Sequence, residues 1–343
     1  MQFRDTLTEE QALDLLSAPS EVVGHALAAL GGPVVLLGAS GKIGPTMSVM
    51  ARRSLDLVGA DVPVIGVARF SDPSQRDYLE DSGVRTVTAD LADPDAYADL
   101  PDAAGLYYLV AQKFGTTGAE HTTWWSNAAI PTMTASRYRG VPSLVYSTGN
   151  VYPLRRVVDG GSNEQDPVGP VGEYAQSSLA RERVFAAAGD RWGTPVTQFR
   201  LNYACEVRYG VVSDIARLVA AGEPVDVTMP AVNVVWQGDV SAWALRAIEH
   251  ASAPPTVLNA TGPETVPVAR IARLVAQELG VEAHLVGEPS DDALLADAGR
   301  IHELYGYPGV PLHRLVRWTA NWIREGGRSL DKPTKFQQRE GAY

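Results

Sequence analysis

Cysteine is almost absent from this chain. Cys205 is the only one among 343 residues, so no internal disulfide can form and a reducing, cytoplasmic setting is expected. Its neighbours in Tyr203-Ala-Cys205-Glu206 bring no Lys or His to activate a thiolate, which reads as a buried structural thiol. Long apolar runs are missing too: none reaches the length of a membrane span, and the opening Met1-Gln-Phe-Arg-Asp5 lacks the apolar centre of a signal peptide. No membrane partner is expected. Positive charge is scarce, with 29 Lys and Arg against 40 Asp and Glu and a net charge of −11. That excludes the broad basic surface that nucleic-acid phosphates require. The six histidines (His25, His121, His250, His284, His302, His313) show no paired spacing on a helix face, so no metal site is expected. A G-x-S-x-G elbow and an ordered Ser, His, Asp set are also missing.

What is present is glycine in one telling pattern. Val34-Val-Leu-Leu-Gly38-Ala-Ser40-Gly41-Lys42-Ile43-Gly44 joins an apolar run to three glycines, and a helical pattern follows from Pro45 to about Leu57. Strand, glycine turn and helix together make a phosphate-binding turn credible. Gly38 permits a tight turn, Gly41 lets a pyrophosphate approach the backbone, and Gly44 lets the helix pack close to the strand. The helix N-terminus then offers free N–H groups and the positive end of its dipole. A mononucleotide P-loop does not fit, because Ile43 follows Lys42 where Ser or Thr would be needed. Further buried strands are read at Val62–Arg69, Val84–Asp90, Gly105–Ala111, Ser143–Ser147 and Val196–Leu201, with Val232–Trp236 resuming strand character. Helical patterns lie between and after them, at Glu120–Arg139, Glu173–Ala188, Val212–Ala221, Asp239–His250, Val266–Leu279 and Leu312–Arg324. This alternation predicts an α/β fold: a Rossmann-type doubly wound parallel sheet with a smaller, mainly C-terminal substrate-binding region.

The expected organisation is a helical extension at 1–30, a dinucleotide-binding core at 31–202 and 232–262, a substrate-binding region at 203–231 and 263–325, and a polar, extended tail at 326–343. Ligands of such sheets bind beyond the carboxyl ends of the strands, so Arg69, Asp90, Val110, Lys113 and Thr148 should face one crevice. The second strand ends in Arg69 instead of the acid that reads the ribose 2′-hydroxyl of NAD. An arginine suits a 2′-phosphate, so NADP is favoured, with NAD possible.

Beyond these readings the chain resembles the extended short-chain dehydrogenase/reductase superfamily, the group containing sugar-nucleotide epimerases and dehydratases. The resemblance runs from about Val34 to Arg324. It rests on the glycine turn, on Asp90-Leu91, on Ser147-Thr148-Gly-Asn150-Val-Tyr152, on Glu164-x-x-Pro-x-x-Pro170 followed by Tyr174, and loosely on Asn202 and Gly238-Asp-Val240. It implies that Asp90 and Leu91 meet the adenine, that Thr148 is the catalytic hydroxyl, and that Tyr174 exchanges the proton. The family's Tyr-x-x-x-Lys is broken, for Ser178 stands where the lysine belongs. Ser178 could hydrogen-bond a ribose hydroxyl but brings no charge, and a phenol whose ordinary pKa is near 10 needs help to act as a base near neutrality. Lys113, in a place where epimerases of the superfamily carry a lysine, could supply that charge; a solvated loop lysine is the other reading. Tyr174 could also be a packed helix-start aromatic, and Thr148 a satisfied strand-end hydroxyl.

The Arg-Asp-Phe-Val-type segment whose arginine meets a nucleotide diphosphate is replaced here by Val232-Asn-Val-Val-Trp236. A smaller substrate without a nucleotide is therefore expected: a free sugar, sugar acid or similar polyol, met by Thr148, Asn150, Asn202, Tyr203 and Arg208. The expected activity is an NAD(P)-dependent oxidoreductase, epimerase or dehydratase acting at a hydroxyl or carbonyl carbon. The alternatives are a dinucleotide sensor that lost catalysis with its lysine, and a lyase or isomerase that keeps its cofactor bound. A homodimer is expected through the helices at Glu120–Arg139 and Glu173–Ala188, with Trp124, Trp125 and Tyr138 giving apolar area.

Overall fold

The computed structural model describes residues 5–113, 115 and 118–342, so most of the opening segment read for a leader lies outside it. Seven strands form the central sheet: β1 (Val34–Leu37), β2 (Val64–Ala68), β3 (Arg85–Thr88), β4 (Gly105–Tyr108), β5 (Ser143–Thr148), β6 (Val196–Leu201) and β7 (Thr256–Ala260). Their spatial order is β7-β6-β5-β4-β1-β2-β3, and every pairing is parallel. In register, Val34 lies between Val64 and Gly105. The order reverses at β1, so a crevice opens beyond the strand ends between β1 and β4.

Strand β1 is buried throughout and apolar throughout, as a strand covered on both faces must be. Its residues alternate: Val34 and Leu36 pack in one apolar cluster, Val35 and Leu37 in another on the opposite face. Helices α2 (Glu21–Ala28), α3 (Gly44–Leu57) and α9 (Gln237–Ala247) cover the first face; α6 (Ile130–Arg137) and α7 (Gly172–Trp192) cover the second. A third cluster joins α1 (Glu9–Leu16), α8 (Val211–Ala220), α10 (Val268–Leu279) and α12 (Leu312–Arg324). Helix α1 starts on a Thr8 and Gln11 capping box. The short helices α4 (Pro73–Asp81), α5 (Glu120–Trp124) and α11 (Gly299–Tyr305) complete the set described here.

Three expectations are corrected. Val232–Trp236 is not a sheet strand: Ala231–Val232 pairs with Val266–Pro267, and Val235–Trp236 pairs with Ala204–Cys205, both outside the main sheet. Four apolar residues around one Asn do not encode which partner they meet. The seventh strand is instead Thr256–Ala260, whose mixed composition hid it. Tyr138 is 1% exposed and donates its hydroxyl to the Pro101 carbonyl, so it offers no outer face. The tail is no free arm, because Phe336 is 1% exposed and inserts into the third cluster.

Candidate active site

A cleft of about 770 Å³ opens beyond the strand ends. The glycine turn forms its floor. Gly38 has φ 87°, and a Cβ there would lie 3.1 Å from the Val110 nitrogen; a Cβ on Gly44 would lie 2.6 Å from the Ala39 carbonyl oxygen. No side chain caps the start of α3, which leaves its first N–H groups available to a phosphate. Ser40, Gly41, Lys42, Ile43, Arg69, Asp90, Leu91 and Val110 line the same cleft. Arg69 is exposed, just past β2, and Asp90 caps its own turn by accepting from the Ala92 N–H at 3.0 Å.

At the other end stand Thr148, Asn150, Tyr174, Asn202 and Tyr203. Thr148 ends β5, donates to Asn150 Oδ1 at 2.9 Å and accepts from the Asn150 N–H. Tyr174 lies in the first turn of α7 and is 7% exposed. The Lys113 ammonium stands 5.8 Å from the centre of the Tyr174 ring and 6.0 Å from that of Tyr203, and donates to the Thr334 carbonyl at 3.3 Å. Asn202 is 3% exposed, and its Nδ2 is buried with no partner. Tyr203 has φ 45°, an uncommon strain for a bulky residue that recurs at ligand sites.

Two candidates are not brought to the cleft. Ser178 is fully buried, and its hydroxyl has no partner; its side chain is too short to reach the cleft wall one helical turn from Tyr174. Arg208 is drawn away by carboxylates, with Nε 3.0 Å from Glu206 and Nη1 3.1 Å from Glu9. Cys205 is buried, and its thiol is pushed up to about 12 by that burial. Among the described residues no cluster of three or more His, Cys, Asp or Glu could hold a metal, and no helix is long and apolar enough to cross a membrane.

Several residues that line or brace the cleft went unforeseen. Asn127 sits in a π-type turn (Trp125–Ala129) and clamps the loop after β4: it accepts from the Gln112 N–H at 2.9 Å and donates to the Gln112 carbonyl and to Ser177 of α7. That fixes the loop bearing Lys113 against the helix bearing Tyr174. Lys332 and Thr334 come from the tail, where Thr334 donates to Asp214 at 2.6 and 2.7 Å. Arg181 lines the cleft from α7. Only Arg181 carried a readable signal, since it lies seven residues after Tyr174 and so on the same helix face.

Burial pushes the Lys42 ammonium down to about 7, with Lys113 and Lys332 adding repulsion and Asp214 opposing it. The Lys113 ammonium is held down at about 8, again by burial first, with Asp214 opposing. Lys42 rests 3.7 Å over the Tyr209 ring. Altogether Lys42, Arg69, Lys113, Arg181 and Lys332 line the cleft against one carboxylate, Asp90. In a chain of net charge −11, that concentration of positive charge marks a site for an anionic ligand.

Residues 34–260 match the model of the NAD dependent epimerase/dehydratase family. The chain belongs to that family. It is an enzyme of the NAD-dependent epimerase/dehydratase type. Solved structures repeat its fold. Pal from Bacillus thuringiensis is 17% identical with a TM-score of 0.71, over 85% of this chain and 99% of that one. UDP-glucuronic acid 4-epimerase from Bacillus cereus, solved with UDP-glucuronic acid and NAD, is 16% identical with a TM-score of 0.70, over 85% and 99%. UDP-glucose 4-epimerase from Thermotoga maritima, solved with UDP-glucose, is 17% identical with a TM-score of 0.69, over 86% and 99%. These likenesses are of fold. No curated protein matches the sequence.

Proposed function

We propose that this enzyme acts at a hydroxyl or carbonyl carbon of a small, nucleotide-free, sugar-like substrate bearing an anionic group, and that it favours NADP over NAD. The observation that carries the reading is the sharing of one cleft by the glycine turn, Thr148 and Tyr174. The residues fit a nicotinamide dinucleotide: the glycine turn and the start of α3 would hold its pyrophosphate, Asp90 and Leu91 its adenine, and the exposed Arg69 a 2′-phosphate. When bound, that group supplies the hydride acceptor and donor.

Tyr174 exchanges the proton of the reacting oxygen, and Thr148 orients that oxygen. Lys113 brings positive charge to the tyrosine ring, which favours a phenolate. Asn202 offers its unpartnered Nδ2 to the substrate. A nucleotide diphosphate finds few free arginines near this end. Arg208 is held by Glu206 and Glu9, and Arg155 by Asp166 at 3.0 Å. Lys332 and Lys113 instead suit a single carboxylate or phosphate.

The test begins with the ligand carried through purification, read by absorbance and mass spectrometry, and with titrations of NADP and NAD. A screen of sugars and sugar acids follows. Tyr174→Phe is expected to remove most turnover, about 100-fold or more, while dinucleotide affinity stays within about twofold. Full activity in Tyr174→Phe would sink the assignment of the proton-exchanging group. A protein that binds neither dinucleotide would overturn the whole reading, and tighter NAD binding would reverse the cofactor preference.

A further inference from the structure

Arg181 is a buried cation that the fold itself leaves without a counter-charge. It is 1% exposed. Its Nη1 donates to the Val110 carbonyl at 3.2 Å, but its Nε is buried with no partner, and it makes no ion pair among the described residues. The adjacent Glu182 is engaged elsewhere, holding Arg200 at 2.7 Å. Tyr108, whose ring packs on Phe185 one turn further along α7, has a hydroxyl that is also buried without a partner, so it supplies no compensating charge. A guanidinium taken out of water without a carboxylate or further acceptors is costly. Such a group calls for a ligand that completes it.

The place where that ligand must lie follows from helix geometry. Tyr174, Ser178 and Arg181 share one face of α7. Helical side chains lean toward the helix N-terminus, so a long side chain at 181 covers the surface over 178, toward Tyr174. Ser178 is small enough to leave that path open. The guanidinium thereby reaches the cleft wall at Val110, and Val110 in turn lies against Gly38 of the glycine turn.

We propose that Arg181 is a cofactor-binding residue whose guanidinium donates to ribose oxygens of the bound dinucleotide on the Tyr174 side, in the path that the small Ser178 leaves open. This rests on the reading of the cleft as a nicotinamide-dinucleotide site. Arginine suits the task because its planar fork carries several donors and keeps its charge at any working pH.

The experiment compares wild type with Arg181→Met, Arg181→Gln and Arg181→Lys, by titration with NADP and NAD and by the thermal midpoint of the ligand-free protein. Loss of a hydrogen bond from a charged donor predicts dinucleotide affinity about 10- to 100-fold weaker in the Met and Gln variants. The Lys variant keeps the charge and should stay within about tenfold of wild type. The ligand-free midpoint of Arg181→Met should hold or rise, because an uncompensated buried charge has gone. Wild-type affinity in Arg181→Gln overturns the proposal, as does a fall in the ligand-free midpoint that accompanies the affinity loss in both neutral variants, since that assigns a structural role. Should Arg181→Met fail to fold, Arg181→Gln, which keeps a donor for the Val110 carbonyl, decides alone. If wild type itself binds no dinucleotide, the reading of the cleft fails and the role of Arg181 falls with it, whereas dinucleotide binding by wild type that Arg181→Gln leaves undiminished overturns the role of Arg181 alone.

Discussion

Two lysines in the cleft carry a testable dependence on pH. Lys42 and Lys113 titrate near 7 and 8 because burial disfavours their charged forms. In the unfolded chain both hold their protons to about 10.4. Between roughly pH 7 and 10 the unfolded state therefore binds more protons, and the ligand-free protein gains stability as pH rises. Binding of an anionic dinucleotide works the other way: it favours the ammonium forms, takes up protons, and weakens as pH rises through the same window. Thermal midpoints measured with and without NADP from about pH 7 to 9 should show the ligand-free value climbing and the ligand-induced increment shrinking. Lys113→Met should flatten both trends. A ligand-free midpoint that falls steadily over this range would contradict the assignment.

At the scale of elements, the tail is the feature that composition misrepresented. Residues 326–343 read as a polar arm, yet Thr334 bonds Asp214, Arg339 pairs with Asp292, and Phe336 fills the cluster beneath α8, α10 and α12. One aromatic in a polar stretch is a weak signal until the socket that receives it exists. Replacing a buried Phe with Ala costs about 3–5 kcal/mol. Here that loss should fall on the tail itself, since local segments open before the whole fold does. Phe336→Ala is expected to make Lys335 the first site of tryptic cleavage. It should raise the KM for an acidic substrate severalfold, with dinucleotide affinity within about twofold of wild type. Unchanged cleavage would show that Phe336 is not the anchor. Helix α7 makes the opposite case. Its start, its tyrosine and its helical period were all legible, and Arg181 was recoverable from the spacing. What spacing could not give is that Arg181 lacks a counter-charge, because that depends on Glu182 being held by Arg200 of β6, while the loop after β4 offers only the Val110 carbonyl.

For the whole molecule, the helical run from α5 to α6 and the flanking α7 leave Trp124 and Trp125 38% and 48% exposed, beside Val171 at 49%. We propose that this face joins two copies of the chain. Buried aromatic anchors dominate such interfaces, so Trp125→Asp should convert a dimer to a monomer in light scattering at micromolar concentration. A wild-type monomer would refute the proposal. The sequence by itself determined the alternation of strands and helices and the glycine turn, because these are written in local spacing and in residue types whose backbone or side-chain chemistry is short-ranged; Tyr174 and Thr148 were singled out by the family resemblance. It also showed the absence of the lysine at 178. Tertiary structure alone decided that Arg208 is held by Glu9, 199 residues away, that Thr256–Ala260 closes the sheet, and that Lys332 of the tail joins Lys113 and Arg181 in one cleft. Such contacts join segments far apart in the chain, and their energies depend on burial and on partners that no local window contains.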